Sequence, residues 1–204
     1  LREVFKNKIS MGWIACYTTH NYELFAFRSW VVAFLSFSLA ENVDSKFIIP
    51  PSTIVFVGIL LGMPSSVIGN ELSMLYGRIK VVFCIMTMSS IFSIIVGLSP
   101  GISNPFLILL ILIYGCLVTA ESASITTGVI ESSREEIRGA TMAVHSSIGF
   151  IGSFLGPIGF GLVLNAFGGY SSIDAWFWAF ASTAIVLILG PLIFLILKKI
   201  QIVV

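Results

Sequence analysis

Charge is the scarcest commodity in this sequence. Asp, Glu, Lys and Arg make up 10% of its 204 residues, against about 25% in soluble domains. With so few charges and 57% hydrophobic residues, the chain cannot cover a water-facing surface. Its mean hydropathy is +1.03, so the solvent it expects is lipid. A net charge of +1 removes the electrostatic basis for a nucleic-acid partner. Cysteine is also rare: Cys16, Cys84 and Cys116 are odd in number, lack metal-ligand spacing and fall in apolar stretches. They read as small buried hydrophobes. No Gly-x-Ser-x-Gly, His-Glu-x-x-His or phosphate-loop pattern occurs, so nothing calls for a cofactor, a metal or a catalytic residue. No short apolar segment with a cleavage site opens the chain, and Leu1–Lys8 reads as the tail of a polar loop. The chain is therefore expected to be a piece of something longer.

What the sequence has in abundance is long apolar runs. A spanning helix needs about 20 such residues, and six segments qualify: 11–39, 48–68, 79–98, 104–127, 139–166 and 176–197. The expected fold is an all-α membrane domain of six helices. The 17 Phe and 4 Trp suit lipid-facing and interfacial positions. With the N-terminus inside, Arg2, Lys6, Lys8, Arg78, Lys80, Arg134, Arg138, Lys198 and Lys199 fall on the inner side. Only Lys46 falls outside, a bias that predicts both termini in the cytoplasm.

The second segment carries Gly58-x3-Gly62 followed by Pro64, and the fifth carries Gly152-x3-Gly156 followed by Pro157. Small residues four apart let helices approach closely, and a proline bends the helix. Each motif lies in the middle helix of a triplet, and the two triplets run in opposite directions. That layout predicts two inverted three-helix repeats. The stripe Gly149, Gly152, Gly156 and Gly159 predicts a close helix contact that Gly190, with no such stripe, does not share.

Polar residues inside the spans mark function by default, because a charge at a helix centre costs about 2.5–3.5 kcal/mol. In the first segment Tyr17, Asn21 and Arg28 fall within about 40° on a helical wheel, with His20 and Glu23 on the adjoining side. In the fourth, Tyr114, Glu121 and Ser124 share a face. In the fifth, His145 joins the glycine stripe. His20, Glu121 and His145 are expected roughly 9–14 Å from the inner ends of their helices. A carboxylate and two imidazoles at one depth suit a proton relay. Arg28 is the best anion-binding candidate, since its planar fork matches carboxylate or phosphate; a structural pair with Glu121 is the alternative. Glu131, Glu135 and Glu136 with Arg134 and Arg138 read as a solvated loop.

Between the second and third segments stands Gly69-Asn70-Glu71-Leu72-Ser73-Met74-Leu75-Tyr76-Gly77-Arg78-Ile79-Lys80. It reads as a short charged loop, with Glu71 a candidate partner for Arg78. The stretch resembles the signature of the major facilitator superfamily, G-x-L-a-D-r-x-G-R-[KR]. Leu72, Gly77 and Arg78 match; Asn70 stands for the first glycine and Met74 for the acid. Gly149–Gly159, with Pro157, resembles that family's Gly-Pro helix, and Arg138–Gly149 the start of its penultimate helix. An imperfect signature copy implies the C-terminal half, helices seven to twelve. The resemblance implies alternating access against a missing N-terminal half; with Arg28 and the buried His and Glu residues, the expectation is a small, anionic, proton-coupled solute carried across a plasma or inner membrane. The resemblance places His20, Glu23, Arg28 and Glu121 on the substrate path. The rival expectations are a membrane enzyme using His20, Glu23 and His145, and a six-helix channel or structural subunit.

Overall fold

The computed structural model describes residues 1–41 and 49–203. Lys46 and the expected span start at Ile48 lie outside the described residues. The described chain is helical throughout, with no strand. A short α1 (Arg2–Lys6) precedes α2 (Lys8–Ala40), α3 (Pro51–Tyr76), α4 (Arg78–Gly97), α5 (Asn104–Ala120), α6 (Ser122–Ser132), α7 (Arg138–Ala166) and α8 (Ile173–Val203). Six helical segments are long and apolar enough to cross a membrane, α5 and α6 together forming the fourth.

Most of the helices run past the expected spans at their polar ends, because backbone hydrogen bonding continues where the side chains turn polar. Asn7 caps α2, its side-chain oxygen accepting from the Ser10 N–H. Pro50-Pro51 opens α3, where a missing N–H costs nothing. The presumed loop 69–80 is almost entirely helical. Only Gly77 leaves the helix, at φ +95°, a conformation that a side chain would oppose.

Packing follows the inverted repeat. The middle helix of each triplet lies on the first helix of the other: α3 on α5, and α7 on α2. The third helices, α4 and α8, pack on each other, and α2 meets α6.

The α2–α7 seam is close along several turns. A methyl group on Gly152 would run into the Thr18 carbonyl oxygen, and one on Gly156 into that of Tyr22. Gly149 faces the Tyr17 ring, and Trp30 Nε1 donates to the Pro157 carbonyl at 3.0 Å. On α3 the corresponding contacts are Gly62 against Thr119 and Gly69 against the Ala120 carbonyl, while Gly58 has ordinary room. Gly190 departs from expectation: it too is pressed against α2, at Thr19 and Cys16. The contact of α8 with α2 is extensive, but Gly190 is the one glycine in α8, so no periodic stripe marks it in sequence. The cysteines also depart, since only Cys16 is buried and Cys84 is exposed.

One core cluster joins Phe34, Phe160, Trp176 and Phe180 at the far end of α2. A second joins Trp13, Ile14, Met86 and Phe194 near its start. The polar residues of α2 lie between the two.

Candidate functional site

Four ionisable side chains are brought together where α5 gives way to α6. The fourth span breaks at Glu121 itself, whose backbone is a turn between the two helices (φ −88°, ψ −16°). Its carboxylate is wholly buried and its Oε1 lies 3.0 Å from His20 Nδ1 of α2, also wholly buried. One turn along α2, the buried Glu23 Oε1 accepts from Ser89 Oγ of α4 at 2.9 Å and from Tyr114 OH of α5 at 3.0 Å. On the other side, Tyr17 stacks on His145 of α7 with ring centroids 3.8 Å apart, and its ring lies 6.1 Å from that of His20. The order Glu23, His20–Glu121, Tyr17, His145 thus crosses the domain from α4 to α7.

Five buried polar atoms in this region have no hydrogen-bond partner among the described residues: His20 Nε2, Asn21 Nδ2, Glu23 Oε2, Glu121 Oε2 and His145 Nδ1. Each such group costs about 1–3 kcal/mol. Buried polar atoms are normally satisfied by protein or by ordered water, so five in one place mark a polar pocket inside the apolar bundle.

The spread along the helices is wider than the expected range of roughly 9–14 Å. Measured from Lys8, Ser132 and Arg138, the three residues lie roughly 10–18 Å along their helices, because the helices begin and end beyond the apolar runs.

Other expected neighbours separate. Arg28 is exposed and forms no ion pair or hydrogen bond with Glu121, which bonds His20 instead; the Arg28–Glu121 pair is not formed. Arg28 lines a cleft with Leu24 of α2, Ile59 and Met63 of α3, and Thr119. The polar faces expected of the first and fourth spans are therefore split. Only Arg28 opens to a cleft, Tyr17 is half-buried, and the remaining members are enclosed. Ser124 turns away altogether: its hydroxyl lies 2.9 Å from Ser73 Oγ and 3.2 Å from the Gly69 carbonyl, tying α6 to α3. Ser124 is ten residues from Tyr114, about 80° round a continuous helix, so the two need not face the same neighbour.

At the α3–α4 junction Arg78 holds Glu131 of α6 through two bonds, Nε to Oε2 at 2.9 Å and Nη2 to Oε1 at 2.7 Å. Its Nη1 donates to Asn70 Oδ1 at 3.0 Å. Sequence reasoning had offered Glu71 as partner and left Glu131 in a solvated loop. Glu131 is 53 residues from Arg78, so no local spacing signals the pair. Asn70, at the position of the signature's first glycine, supplies a third ligand for the guanidinium.

A family model described as Major Facilitator Superfamily matches residues 24–201. The chain belongs to that superfamily. No match was found among curated proteins or solved structures. The match covers all six spans, beginning within α2. As a member of the Major Facilitator Superfamily the chain is an integral membrane protein of the secondary-transporter class; members of this superfamily are transporters rather than enzymes. Among the described residues, no group of three or more His, Cys, Asp or Glu is arranged to hold a metal ion.

Proposed function

We propose that this chain is the C-terminal half of a proton-coupled carrier for a small anionic solute, working by alternating access against an N-terminal half. The observation that carries the reading is the division of labour around α2. Its buried side holds the His20–Glu121 pair, Glu23 and His145, where protons can reside but a solute cannot enter. Its exposed side presents Arg28, a guanidinium with no acidic partner among the described residues. Tyr17, Asn21 and Tyr114 support the relay by position: Tyr17 stacks between the imidazoles, Asn21 adjoins Gly149, and Tyr114 bonds Glu23. The exposed apolar faces of α3 and α7, including Phe56, Leu60, Phe150 and Phe154, are left for lipid and the partner half.

The test is proton flux in liposomes that enclose a pH dye and contain the full-length protein. A gradient of the right organic anion, found by screening a panel, is expected to move protons across the membrane. Anion movement with no accompanying proton movement would reject the coupling, and a conductance linear in the gradient would point to a channel.

Both termini are proposed to be cytoplasmic, on the basic bias of the loops. Ser73 is a poor probe of this because it is buried and hydrogen-bonded. Tyr76 is 65% exposed and Glu136 is exposed, so Tyr76→Cys and Glu136→Cys are the better choices, in a background without the native cysteines. Both should resist an impermeant thiol reagent in intact cells and react after lysis. Labelling from outside would invert the topology.

A further inference from the structure

The cleft around Arg28 is built for more than a charge. Beside the guanidinium it is walled by Leu24 of α2 and by Ile59, Gly62 and Met63 of α3, with Ser66 of α3 and Ser122 of α6 at one edge. Arg28 is the single charged residue in this lining, and also in the narrow apolar crevice that continues from it past Phe27, Gly58 and Ile111. One cation without an acid on the same wall balances one negative charge. A doubly charged anion would keep one charge without a cation on this wall, against Leu24 and Ile59.

The hydroxyls divide as well. Thr119 Oγ1 spends its hydrogen on the Gly115 and Cys116 carbonyls. The Ser66 and Ser122 hydroxyls donate to no protein acceptor among the described residues, so they remain free to meet an acidic group. The cavity measures about 220 Å³. That is below the roughly 300–1,000 Å³ usual for drug-sized ligands, so on this half it takes a body no larger than a ring or a short chain.

Building on the anion-carrier reading above, we propose that the solute is an amphipathic monoanion. Its acidic head lies on Arg28 within reach of Ser66 and Ser122, and a compact apolar body lies against Leu24, Ile59 and Met63. A bare inorganic anion leaves that apolar wall unused, and a neutral apolar molecule leaves the guanidinium unpaired. A molecule with both parts satisfies the whole lining.

The experiment is equilibrium dialysis on the full-length protein in nanodiscs of zwitterionic lipid, with three probes: benzoate, acetate and benzamide. They present head plus body, head alone, and body without charge. Benzoate is expected to bind roughly tenfold or more tightly than either of the others. Arg28→Gln should bring benzoate down to the level of benzamide. Ile59→Ser combined with Met63→Ser should weaken benzoate severalfold and leave acetate unchanged. Both positions are exposed, at 45% and 68%, so the double variant is expected to fold, which its size-exclusion profile verifies.

Two patterns overturn the proposal in distinguishable ways. If acetate equals benzoate and Arg28→Gln abolishes both, the apolar body is refuted while the anion carrier stands. If benzamide equals benzoate and Arg28→Gln changes nothing, the anion reading itself falls. Failure of benzoate to bind at all also refutes the proposal.

Discussion

Glu121→Gln is expected to abolish uphill accumulation of solute while leaving exchange across the membrane intact. The amide keeps the length and planarity of the carboxyl group and can still meet His20 Nδ1 at 3.0 Å, but it cannot take up or release a proton. A carrier so altered can reorient with solute bound, so exchange survives; it cannot draw on a proton gradient, so net accumulation falls to the equilibrium level. Exchange should also lose its dependence on pH. His20→Asn should give the same phenotype, because it removes the other half of the pair. The double variant should be no worse than either single, since groups that act as one unit are not additive. Arg28→Gln is expected to act independently of Glu121→Gln, because the two residues do not touch; its effect should fall on solute affinity. The measurement is accumulation and exchange in liposomes, with stability followed in parallel for each variant. Wild-type accumulation by Glu121→Gln would end the proton role. If instead both singles unfold and the double refolds, the pair is structural, because removing one member of a buried pair strands the other.

Gly152→Ala should lower thermal stability sharply, by about 1–3 kcal/mol or more, and Gly156→Ala should match it. In each the added methyl meets a backbone carbonyl of α2, which cannot rotate aside as a side chain can. The α2–α7 seam must open, and with it the Tyr17–His145 stack. Gly139→Ala and Gly58→Ala are the controls. Gly139 has nothing near its missing Cβ, and Gly58 only an ordinary contact with Leu112 at 3.5 Å. Alanine is the better helix former by roughly 0.8–1.0 kcal/mol, so these two should be neutral or slightly stabilised. Gly190 does not serve as a tolerant control, being packed against Thr19 and Cys16. Equal melting temperatures for Gly152→Ala and Gly139→Ala would remove the close-approach argument.

The membrane architecture could be read from composition because lipid imposes it. A segment of twenty apolar residues has few places to go, and its backbone must be satisfied within itself, so six runs mean six helices. The close α2–α7 contact was legible for a similar reason: a stripe of four glycines is periodic and lies on one face. The inverted repeat showed in the matching Gly-x3-Gly and proline positions, and the family through Leu72, Gly77 and Arg78. His20, Glu23, Glu121 and His145 stood out because ionisable groups in apolar runs are costly and therefore rare.

Pairings across the fold were another matter. Arg28 and Glu121 looked like natural partners by charge. The direction in which each helix face points depends on which neighbours it packs against, and no spacing within one helix encodes that. Glu121 was therefore free to pair with His20, 101 residues away, and Arg78 with Glu131. The break of the fourth span at Glu121 was equally invisible, because neither proline nor glycine marks it. The sequence by itself determined that this protein crosses a membrane six times and keeps buried ionisable groups there. Only the tertiary structure decided that those groups close on one another while Arg28 stands alone in a cleft, because helix rotation is set by contacts between distant segments.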